Sequence, residues 1–107
     1  MSEKNLPRWF KNLQQKYPGY IKSLDELGSA IRQEGPLNDK TAHLIQLAGA
    51  AANRSEGAVH SHTRRLLDLG ANHDEINHAI ILLTSTIGFP AVSAALSWIN
   101  DILNEDK

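Results

Sequence analysis

The sequence predicts an all-α protein, a compact bundle of about six helices, on three observations. Apolar residues recur three and four apart in successive segments, Gly and Pro fall between those segments, and no alternation of strand type runs for a useful length. From Asn5 to about Tyr17, the positions Leu6, Trp9, Phe10 and Leu13 give a short first helix, interrupted at Pro18-Gly19. A second helix spans about Tyr20 to Gln33 on Ile21, Leu24, Leu27 and Ile31, and Gly35-Pro36 stops it. Asn38 or Asp39 can cap a third helix reaching Asn53, whose face of Leu44, Ile45, Ala48, Ala51 and Ala52 is small enough for close helix approach.

The fourth helix begins near Ser55 to Gly57 and ends at Gly70, with Val59, His62, Leu66 and Leu69 along one stripe. Asn72-His73-Asp74-Glu75 has the form of a capping box and opens a fifth helix running to about Ile87. Gly88-Phe89-Pro90 breaks that helix. A sixth, with Pro90 at its first position, continues through Ala94, Leu96 and Ile99 to the polar tail Asn104-Glu105-Asp106-Lys107.

A chain of 107 residues fits one domain, organised as N-terminal helices over 1–36 and a helical core over 37–107. Eleven Lys and Arg against twelve Asp and Glu leave a formal net charge of -1, so no overall field exists to hold nucleic acid. No apolar run follows a basic start at the N-terminus, and the expected address is cytoplasmic. There is no cysteine, which removes disulfides, thiolate ligands and thiol redox chemistry from this chain acting alone.

From Ala79 through Asn100 no charged residue occurs, a length sufficient for a bilayer span. The Thr84-Ser85-Thr86 run, the Gly88-Phe89-Pro90 break and the lack of a flanking basic cluster argue instead for two buried helices and no membrane contact. A chain this small buries only about two-thirds of its unfolded surface. Helices apolar over much of their circumference therefore imply cover from other subunits, and a homo-oligomer is expected.

Five histidines stand at 43, 60, 62, 73 and 78. His62, on an apolar stripe, must satisfy two ring nitrogens, either as a hydrogen-bonded core residue or as a site. His60 and His62 are about 200° apart on a helix, which disfavours a metal site built on that pair. A site of His43, His60 and His62 stays open as an alternative, but no metal or other cofactor is expected. Ser55 and Glu56 suit a helix start. Arg64 or Arg65 could pair with a ligand carboxylate or lie on a solvated face, and Trp9, Phe89 and Trp98 could line a pocket or fill a core. His73 belongs to an exposed first turn. A serine hydrolase is excluded for want of a Gly-x-Ser-x-Gly elbow and a strand to carry it.

Lys40-Thr41-Ala42-His43-Leu44-Ile45, then Ala50-Ala51-Ala52-Asn53, His62-Thr63-Arg64, Gly70-Ala71, Glu75-Ile76 and Gly88-Phe89-Pro90-Ala91 resemble the carboxymuconolactone decarboxylase and alkylhydroperoxidase-D-like family over about residues 37 to 103. The resemblance implies the all-helical alkylhydroperoxidase-D-like fold and assembly into trimers or hexamers. In the peroxidase branch a Cys-x-x-Cys pair, a following histidine and an earlier glutamate form a relay. On this chain the histidine matches His62, while the cysteines fall on Ser55 and Ala58 and the glutamate on His43. The decarboxylase branch also lacks the cysteine pair, and there the resemblance implies acid–base work by His62 on a small lactone acid.

The expected function is thus non-redox acid–base chemistry on a small carboxylate or lactone, a lyase-like activity. Its pocket would hold His62, His43 and Ser55 as catalytic residues and His60 and Arg64 as substrate-binding ones. The alternatives are a catalytically silent oligomeric module, or peroxidase activity with cysteines supplied by a partner.

Overall fold

The computed structural model describes residues 6–105, and the expected Asn5 start of the first helix and the Asp106-Lys107 end of the tail lie outside them. All regular structure in the described residues is helical. Six helices have nine residues or more: α1 (Arg8–Lys16), α2 (Pro18–Gln33), α3 (Asp39–Ala52), α4 (Glu56–Asp68), α5 (His73–Ile81) and α7 (Phe89–Glu105), while α6 (Thr84–Ile87) is a single turn. The chain divides into two units between Asn38 and Asp39.

In the N-terminal unit, Pro18 opens α2 rather than merely ending α1: its ring supplies the φ that a first helical position needs, and its missing N–H costs nothing there. Ile21 is buried, whereas Tyr20, Leu24, Leu27 and Ile31 form an exposed stripe along α2.

The second unit is built on α3 to α7, around Leu47, Ala51, Val59, Leu66, Ile76, Ile80, Val92, Ala95 and Ile99. Two tight reversals set its geometry. At the end of α3 the Ser55 N–H donates to the Ala50 carbonyl at 3.0 Å and the Arg54 N–H to Ala51 at 3.1 Å, with Arg54 in the left-handed region at φ 53°. Ala71 and Gly70 repeat this pattern on Leu66 and Leu67, with Gly70 at φ 87°. Both are the paired-bond C-terminal motif that satisfies the last helical carbonyls, and glycine suits its left-handed position while arginine does not.

The expected capping box is present: the Glu75 N–H donates to Asn72 Oδ1 at 2.8 Å, and the Asn72 N–H donates to Glu75 Oε1 at 3.0 Å. The other oxygen of Glu75 accepts from Lys40 Nζ at 2.6 Å, tying the start of α5 to the first turn of α3. The fifth helix, however, does not run to Ile87. It stops at Ile81, and α6 begins at Thr84, whose hydroxyl donates to the Ile81 carbonyl at 2.7 Å. A threonine hydroxyl competing for a helical carbonyl breaks the ladder without any Gly or Pro to announce it. The uncharged stretch from Ala79 to Asn100 is therefore divided among three helices. Among the described residues no helix is long and apolar enough to cross a membrane.

Candidate functional site

The reversal at Arg54 makes α3 and α4 an antiparallel pair. His43 lies nine residues before the end of α3 and His62 six after the start of α4, so their heights along the pair agree to within about one helical turn. Their rings meet: Nδ1 of His43 is 3.1 Å from Nδ1 of His62, with centroids 5.3 Å apart and planes tilted by 49°. His43 is buried, at 4% exposure, and His62 is half-buried.

A nitrogen facing a nitrogen at this distance fixes the chemistry. One ring donates and the other accepts, so a single proton lies between the two Nδ1 atoms. Passing that proton across, while one proton enters at the donor ring's Nε2 and another leaves from the acceptor ring's Nε2, converts one tautomeric arrangement of the pair into the other. The arrangement can take up a proton at one imidazole and release one at its partner, which is the elementary act of a relay.

The other expected site residues do not join this pair. Ser55 is on the same face of α4 as His62 but seven residues earlier, about 10 Å along the axis, and its Oγ accepts from the Ala58 N–H at 3.4 Å as the helix N-cap. His60 is turned about 200° from His62, and its Nε2 lies 3.2 Å from Asp101 Oδ2 on α7. Arg64 is likewise about 200° round α4 from His62; it is buried, and its Nε has no hydrogen-bond partner. The structure thus brings His43 and His62 together; it leaves His60 on another side of α4, because residues two apart on a helix point in different directions, and Ser55 two turns away along the axis.

The three histidines at 43, 60 and 62 do not form a metal-binding group either. Among the described residues the one set of three or more potential ligands that converges is Glu56, His60 and Asp101, whose ligand atoms all lie within 4.8 Å of one another. Asp101 escaped sequence reasoning because it is 41 residues from His60, although the one-turn spacing of Glu56 and His60 was visible. Trp9 and Phe89 are exposed, at 63% and 64%, whereas Trp98 packs against the core. His73 is exposed, as its place in a first turn suggested.

No curated protein matches this chain. Among solved structures, the fold is similar to that of the apo form of a carboxymuconolactone decarboxylase family protein from Legionella pneumophila, with a TM-score of 0.76 and 22% sequence identity over 92% of this chain and 88% of that one. Residues 18–101 match the carboxymuconolactone decarboxylase family itself. With most of its length covered by that match, and with the helical order α3 to α7 built around it, this cysteine-free chain belongs to the carboxymuconolactone decarboxylase family.

Proposed function

We propose that this protein performs non-redox acid–base chemistry on a small organic acid or lactone, with the His43–His62 pair as its proton-handling centre. The 3.1 Å contact between the two Nδ1 atoms carries the proposal, since it couples a buried imidazole to one that is half-open. When the pair takes up a proton from solvent, His62 carries one on each ring nitrogen; it delivers the Nε2 proton to the guest and keeps the Nδ1 proton as the donor to His43, so both rings end neutral. In a decarboxylation, the electron pair left when carbon dioxide departs takes up the proton that His62 delivers. Arg65, about 60° from His62 around α4, is better placed than Arg64 to pair with the guest's carboxylate.

The absence of cysteine supports a non-redox reading, because the chain has no thiol to reduce a peroxide. Exposed Ile45, Ile81, Leu82 and Phe89 on the second unit support assembly into a homo-oligomer, a trimer or hexamer, in which these side chains are covered. The replacement of a relay carboxylate by His43 and of both cysteines favours one competing reading, a silent assembly module.

The test is a thermal-shift screen of lactones and small carboxylic acids, followed by turnover assays on those that stabilise the protein. Substituting His62→Ala should lower turnover by at least a hundredfold, the scale of general acid–base catalysis. Unchanged turnover in that variant refutes the mechanism, and a screen without a single stabilising compound favours the silent module.

A further inference from the structure

We infer that Glu56, His60 and Asp101 form a binding site for a borderline divalent transition-metal ion, such as zinc or cobalt, that bridges α4 and α7. The three ligand atoms lie within 4.8 Å of one another. Two helices supply them in a geometry that needs little change. Glu56 and His60 are one turn apart and share a side of α4, and Asp101 Oδ2 already stands 3.2 Å from His60 Nε2 across the helix interface.

The backbone beneath these side chains is held. Ser55 caps the first turn of α4, and Val59 and Ile99, both fully buried, pack the two helices into one core. Around a zinc ion with ligands at about 2.0–2.2 Å, tetrahedral donor atoms are separated by roughly 3.4 Å. Closing from separations of at most 4.8 Å asks only for side-chain rotations, and the Glu56 and Asp101 side chains are both exposed.

Charge points the same way. Among the described residues no Lys or Arg forms an ion pair with Glu56 or Asp101, so two carboxylates stand near one imidazole, which Asp101 contacts at 3.2 Å. Two carboxylates and a neutral imidazole balance a divalent cation. The nitrogen donor selects zinc, cobalt or nickel over magnesium or calcium, and the three-ligand set leaves positions for water or a small ligand. This site lies about 200° around α4 from His62 and does not depend on the chemistry proposed for the histidine pair.

Titration of the whole protein with cobalt(II), followed by visible absorption, tests the inference. The expected result is one equivalent bound, displaced by zinc, with His60→Asn or Asp101→Asn weakening binding at least tenfold, and with a raised melting temperature for the wild type alone. Only the aqueous cobalt spectrum, or binding unaltered in both variants, overturns it. Should the variants fail to fold, NMR of the wild-type protein decides: cobalt should shift the His60 ring protons and leave those of His73 and His78 in place. The reverse pattern overturns the site.

Discussion

Replacing His62 by leucine while His43 remains leaves a buried Nδ1 facing an aliphatic side chain. His43 is only 4% exposed, so water cannot substitute for the lost partner. A buried polar atom orphaned in this way costs about 1–3 kcal/mol, whereas a satisfied hydrogen bond contributes a net ~1 kcal/mol. In a His43→Leu background the same His62→Leu change no longer orphans an Nδ1 at position 43 and should cost correspondingly less. The two substitutions are therefore expected to be coupled by about 1–2 kcal/mol, with the double variant more stable than the sum of the singles implies. Urea unfolding of the four proteins at one pH, read by far-UV circular dichroism, gives the cycle directly. A coupling below about 0.3 kcal/mol, the scale on which independent sites add, would show that the 3.1 Å contact carries no interaction and remove the basis of the relay.

Two further outcomes follow from the helix ends. Arg54 sits at φ 53° where the C-terminal motif of α3 favours glycine, so Arg54→Gly should raise stability by about 0.5–1 kcal/mol in the same unfolding assay, and a loss would contradict the reading of that turn. Glu75 is held below the ordinary glutamate range, first by its bond from Lys40 and then by the Asn72 N–H. A carboxyl depressed on folding stabilises the protein above its unfolded value, about pH 4.3, and loses that contribution as pH falls through the lower folded value. Glu75→Gln should flatten this acid limb of the stability curve while leaving the capping box able to form, and an acid limb as steep as that of the wild type would assign the pH dependence to other groups.

Local sequence determined the helices and most of their ends. Apolar spacing of three and four located the six longer helices, Gly70 and the Asn72/Glu75 pair marked a stop and a start, and these signals suffice because a helix closes its hydrogen bonds within a few residues of itself. Where the signal was a side chain competing for a carbonyl, as at Thr84, spacing alone carried the fifth helix too far. The zero cysteine count, likewise, was decided by composition without any reference to folding.

Contacts across helices were another matter. Nothing in the order of residues says that His43 meets His62 while His60 turns to Asp101, although the 200° rotation between residues 60 and 62 already separated them. Which side of α4 faces α3 and which faces α7 is set by how Leu47, Val59, Leu66 and Ile99 fill one interior. Packing of that kind is collective: each side chain's place depends on all the others, so a distance of 3.1 Å between residues 19 apart exists only once the core has closed.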